Sequence, residues 1–211
     1  MAATHNQDLI KAIKAFDKGA METALKAGAF ADTPMDDKGT TPLLHFAAAN
    51  WHDRIECVQM LLRYGANANH ADTNGQTALH RVGRNTAWKS EQIVEALLLH
   101  KADLNQPDKF GNTPLHDTVR HWLGSNSPFV LLAMLQAGGD VHIKNKAGFS
   151  PLDIAVNTRK TPEEKERVTE MFNRYAAQRK AAADTLQQHI QTEQDRLRKL
   201  SRQKPRLKLK K

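Results

Sequence analysis

Ten histidines and a single cysteine are the side chains of this 211-residue sequence best suited to hold a metal or move a proton. Their spacing decides whether they do so. His5, His52, His70, His100, His121, His142 and His189 form neither an HExxH pair nor a spaced Cys/His set, and with Cys57 alone a zinc finger is excluded. The chain has no GxxxxGK phosphate loop, no GxSxG nucleophile turn and no GxGxxG dinucleotide loop. Catalysis has no visible machinery, so the expectation is a protein that is not an enzyme and carries no catalytic residue, metal or cofactor. Val58, Leu61 and Leu62 surround Cys57 at helical spacing, which reads as a core position.

A second set of residues recurs with a period. Trp51, Trp88 and Trp122, all three tryptophans of the chain, fall 12, 13 and 11 residues after Gly39, Gly75 and Gly111. Those glycines, with Gly148, open the segments GTTPLLHFAAA, GQTALHRVGRN, GNTPLHDTVRH and GFSPLDIAVNT at spacings of 36, 36 and 37. After each of the first three comes a polar stretch, a second apolar segment (IECVQMLLRYGANAN, IVEALLLHKADLN, FVLLAMLQAGGDVH) and an Asn/Asp-rich turn. The repeating unit is helix, turn, helix and extended finger.

This unit resembles the ankyrin repeat over about residues 5 to 160. Thr77, Leu79 and His80, and Thr113, Pro114, Leu115 and His116, stand where that family has TPLH. Tyr64 to Asn67 and Lys101 to Asn105 match its GADVN ending. Thr before Pro is a good N-cap with Pro at the first helical position, and Gly65 and Gly138 can take the left-handed conformation that ends a helix. Leu61, Leu62, Leu97, Leu98, Leu132 and Leu135 supply apolar faces that only neighbouring repeats can bury. The resemblance implies that His80 and His116 bond the neighbouring finger. Packed helices about 8 to 10 Å apart could not share a metal held at about 2 Å.

The departures from the family pattern carry expectations too. Lys101 stands where the family prefers Gly, Leu44 takes the TPLH histidine position with His45 displaced by one, and the extra residues of each unit fall between its two helices. Residues 5 to 38 read as a degenerate N-terminal cap with helices near Gln7 to Phe16 and Met21 to Ala27, and with Lys11, Lys14 and Lys18 on the outside. Four repeats start at 39, 75, 111 and 148, giving a repeat domain over 1 to 160. Thr161-Pro162-Glu163-Glu164 then starts a helix that no Gly or Pro interrupts before Pro205. Val168, Phe172 and Tyr175 can cover the last repeat. Beyond them Ala183, Leu186, Ile190, Leu197 and Leu200 make a thin seam broken by Arg179 and Glu193, so the chain is expected to be mostly a monomer. The fold expected is an all-α ankyrin-repeat solenoid, a helical extension over 161 to 204, and a disordered basic tail over 205 to 211.

Charge is concentrated at that end. The chain has 31 basic and 23 acidic residues, a net of +8, and Arg196 to Lys211 holds nine of the basic ones and no acid. Without them 22 basic residues face 23 acidic ones, a net of −1. The folded body offers no overall charge for nucleic acid. The longest apolar run, Phe129 to Leu135, has seven residues, against roughly 20 for a bilayer span. The N-terminus does not read as a secretory signal, and a lone cysteine suits a reducing compartment.

Function follows from the resemblance. It implies a non-catalytic module that binds a partner protein through its concave side: the fingers plus the ends of the first helices. The family's variable finger positions are here Asp37 and Lys38, Thr73 and Asn74, Lys109 and Phe110, and Lys146 and Ala147. Phe110 and Phe149 are large apolar residues that turn chemistry does not require. Trp51, Trp88 and Trp122 stack in one row, either as packing for long turns or as a binding ridge. A solitary array with a charged helical C-terminus is also similar to bacterial effectors delivered into host cells. This places the chain in the cytoplasm or nucleus, or secreted into a host cell without a cleavable signal peptide. The alternative function is a nucleic-acid or anionic-membrane binder using Arg196, Arg198, Lys199, Arg202, Lys204, Arg206 and Lys208, with leucines between them.

Overall fold

The computed structural model describes residues 2–36, 38–41, 46, 54–84, 90–124, 129–175 and 177. Among them the chain is helical and has no strand. Helices α1 (Ala2–Lys14) and α2 (Lys18–Lys26) form the N-terminal hairpin. They are followed by α3 (Arg54–Arg63), α4 (Ala78–Gly83), α5 (Ser90–Leu99), α6 (Pro114–Gly124), α7 (Phe129–Ala137) and α8 (Pro151–Asn157), with residues 162–175 helical again. The first helices of successive units, α4, α6 and α8, pack on one another, and the second helices α3, α5 and α7 do likewise. This is an all-α solenoid of stacked repeats.

The glycines that set the period do so because the backbone turns left-handed there. Gly75 and Gly111 have φ of 76° and 78°, a region closed to most other residues. A Cβ on Gly111 would also stand 2.9 Å from the main-chain nitrogen of Lys146 in the next finger. Each finger is braced by an Asx side chain. Asp72 Oδ1 accepts from the N–H groups of Asn74 and Gln76, and Asp108 Oδ1 from those of Phe110 and Asn112. Asp36 and Asn145 make the same pair of bonds in their own fingers.

Neighbouring units are tied by the histidines. In His116, Nδ1 accepts from Thr113 N–H at 2.9 Å, so Nε2 carries the proton and donates to the Phe149 carbonyl at 3.0 Å. His80 repeats this between Thr77 and the Asn112 carbonyl. In the last repeat Asp153 replaces the histidine. Its carboxylate caps Ser150 and offers nothing to a further finger. Phe172 of the 162–175 helix is fully buried, with Val168 and Tyr175 packed beside it, and Thr161 and Glu164 cap that helix reciprocally. The remainder of the expected 161 to 204 helix, its leucine seam and the 205 to 211 tail lie outside the described residues.

The helix phase corrects three expectations. Leu132 is only half-buried, because Val130, Leu131, Met134 and Leu135 form the inward stripe of α7 and place Leu132 beside it. Leu98 is likewise half-buried, on the margin of the stripe formed by Ile93, Val94 and Leu97. The first helix begins at Ala2 and ends at Lys14, where Phe16 turns left-handed at φ 53° and Asp17 caps α2 by accepting from Ala20 N–H. Lys11 and Lys14 are exposed, while Lys18 is half-buried and pairs with Glu56 of α3.

Candidate protein-binding surface

The fingers are joined tip to tip through main chain. Thr73 N–H donates to Lys38 O at 2.9 Å, Lys109 N–H to Asn74 O at 2.9 Å, and Lys146 N–H to Phe110 O at 3.0 Å. With the backbone so fixed, the side chains of Lys38, Asn74, Lys109, Phe110, Lys146 and Phe149 are all exposed along one edge. Phe110 is 62% and Phe149 47% exposed. A ring left this far in water on a braced backbone has its desolvation energy still available to a partner.

The tryptophans divide. Trp51 and Trp88 lie outside the described residues. Trp122 belongs to α6 and not to an inter-helix turn: the extra residues of the third unit lengthen its first helix to 11 residues, against six in α4. It is half-buried, and the Arg159 guanidinium sits 4.9 Å from its ring centroid. This cation–π contact ties α6 to the chain leaving α8. The tail residues Arg196, Arg198, Lys199, Arg202, Lys204, Arg206 and Lys208 also lie outside the described residues.

Where fingers meet first helices the structure adds residues that sequence reasoning did not single out. Arg81 pairs with Asp72 at 2.6 Å. Arg84 donates to Gln76 Oε1 at 3.1 Å, and Arg120 donates to Asn112 Oδ1 at 3.0 Å. Both also flank buried Asp117, at 2.9 and 3.7 Å. Arg84, Asp117, Arg120 and His121 line an open hollow of about 470 Å³. The signal was present: Arg84 and Arg120 each stand nine residues after their repeat glycine.

The electrostatics of this face follow from burial. Burial alone would raise the Asp72 carboxyl. The Gln76 and Asn74 N–H groups and the Arg81 guanidinium outweigh it and hold the group below the usual carboxylate range. His80 and His116 are pushed below the ordinary histidine value, first of all by burial. Both ring nitrogens of each histidine are taken up by a threonine N–H and a finger carbonyl, so the two side chains act as struts of the stack. Among the described residues no group of three His, Cys, Asp or Glu side chains could hold a metal ion, and no helix is long and apolar enough to cross a membrane.

Comparison with known proteins agrees with the geometry. The family model described as ankyrin repeats (3 copies) matches residues 1–108 and 44–145. Human inversin is 36% identical over 64 residues, a stretch covering 30% of this chain. The chain spans about 6% of the length of that relative.

Proposed function

The chain belongs to the ankyrin-repeat family, whose repeats are generally protein–protein interaction modules, and from that premise we propose that it binds a partner protein without chemistry, through the finger row and the adjoining ends of the first helices. One observation carries this reading. Phe110 and Phe149 are held in water by fingers whose backbone is braced by Asp108 and Asn145 and bonded to the neighbouring finger, which lowers the entropic cost of burying them against a partner. Action inside a host cell belongs to the same proposal and rests on the resemblance of the C-terminus alone.

The test is capture of partners from lysate by the intact chain, by Phe110→Ala and by a chain lacking residues 196 to 211, with affinities then measured on the purified pair. Phe110→Ala is expected to weaken the complex by about 1 to 2 kcal/mol with an unchanged circular dichroism spectrum, and loss of the tail to leave it intact. Full affinity in Phe110→Ala refutes docking on the fingers.

A second reading rests on the nine basic residues of the tail. If they neutralise phosphates, log affinity for nucleic acid falls by about 0.7 to 0.9 per contact for each unit of log salt. Truncation at Asp195 then abolishes that binding.

A further inference from the structure

The body carries a net charge of −1, yet its inner face is not neutral in the sense a partner meets. From the second finger onward, Arg81, Arg84, Lys109, Arg120, Lys144 and Lys146 reach solvent. The acids of the finger turns and first helices are otherwise engaged. Asp72, Asp108 and Asp117 are buried, at 6%, 6% and 5% exposure, and Asp153 is spent capping Ser150. Of these carboxylates all but half-exposed Asp153 lie beneath the surface, and the cations lie on it.

This separation is sharpest in the hollow between Arg84 and Arg120. The two guanidinium groups share one contacting carboxylate, Asp117, with Asp108 buried behind Asn112. Each group is held on one edge by a finger amide, Gln76 or Asn112. The contact between Arg84 and Asp117 Oδ2 is an ion pair outside hydrogen-bond geometry, which leaves guanidinium donors unspent. Anchored, half-exposed arginines with spare donors match a carboxylate in both shape and charge. The floor of the hollow is itself an anion, so a monoanion is favoured over a phosphate dianion.

We propose that this hollow receives an aspartate or glutamate side chain from an acidic segment of the partner protein, with Lys109 and Lys146 flanking the segment and Phe110 and Phe149 taking an apolar residue within it. The inference rests on the finger-row reading of function and names the chemistry of its occupant.

Fluorescence anisotropy of the full-length chain tests it, with a fluorescein-labelled peptide of six glutamates and two leucines as probe. Controls are its lysine counterpart, a phosphoserine version and an eight-residue oligothymidylate. Arg120→Gln leaves the closer Arg84–Asp117 pair in place and is expected to weaken the glutamate peptide by about tenfold, while Arg196→Gln/Arg198→Gln changes it by less than about twofold. Asp117→Asn removes the competing anion and is expected to tighten binding several-fold, a direction that loss of fold cannot produce. Equal losses from the tail pair and from Arg120→Gln overturn the proposal. Tighter binding of the phosphoserine peptide or of oligothymidylate through Arg120 also does so, as does an Asp117→Asn chain that binds no better. If Arg120→Gln binds normally while Phe110→Ala does not, the hollow is refuted and the finger reading stands. The opposite pattern refutes the fingers and keeps the hollow.

Discussion

Acid should loosen this stack well before its carboxylates titrate, and the two histidine struts set both the window and the size of the effect. In the folded chain each Nδ1 is an acceptor for a threonine N–H and each Nε2 a donor to the next finger. Protonation would place an N–H against an N–H in a buried site. Burial lowers both groups first. Asp108 and Asp117 pull the other way, and Arg84 near His80 and Arg120 near His116 add to the lowering. The unfolded chain takes up protons near pH 6.5 and the folded chain only at lower pH. Stability is therefore complete above that value and falls as pH drops below it. For one histidine that stays neutral when folded, moving from pH 7.5 to 5.5 costs about 1.4 kcal/mol, so the two set a ceiling of about 2.7 kcal/mol. Urea denaturation at pH 7.5, 6.5 and 5.5 measures it, with His80→Gln/His116→Gln as reference. A flat profile refutes the strut assignment. So does an equal slope in the double variant, which would place the titration elsewhere.

Three further outcomes follow from packing and backbone. Gly83→Ala should destabilise by about 1 to 3 kcal/mol although alanine is the better helix former by about 1 kcal/mol, because the new methyl meets Thr118 Oγ1 at 2.5 Å and the Pro114 carbonyl at 3.0 Å; a rise in the thermal midpoint would show that α4 and α6 can move apart freely. Lys101→Gly should stabilise by about 0.5 to 1 kcal/mol in chemical denaturation, because Lys101 sits at φ 63°, and an unchanged midpoint counts against strain there. Leu97→Ala should cost about 2 to 5 kcal/mol and Leu132→Ala clearly less, since Leu97 is fully buried and Leu132 is not; equal costs would contradict the helix phase described for α7.

The period was legible because its glycines are there for a backbone reason: Gly75 and Gly111 mark left-handed turns at a fixed place in every unit. The histidines could be taken for struts because Thr, Leu and His recur together at one offset. Legibility failed where the outcome depends on phase or depth. Sequence shows that Leu132 is apolar but not that α7 turns it to the margin, and it placed Trp122 in a turn that the longer α6 absorbs. The inner face was hidden for another reason. A net charge of −1 counts Asp72 and Arg120 alike, whereas only the structure shows that Asp72 is buried beneath the groups that donate to it and that Arg120 is exposed.

The switch from His116 to Asp153 has a consequence for building with this scaffold. A unit copied from Gly75 to Phe110 and inserted after itself would arrive with a donor for the finger ahead and an acceptor for the histidine behind, so the array can be lengthened internally without redesign. Appended after residue 157, the same unit would meet a carboxylate where its finger carbonyl needs an N–H, and the 162–175 helix would occupy its seat. The array grows from its middle and is closed at its end by Asp153 together with the helix packed beyond it.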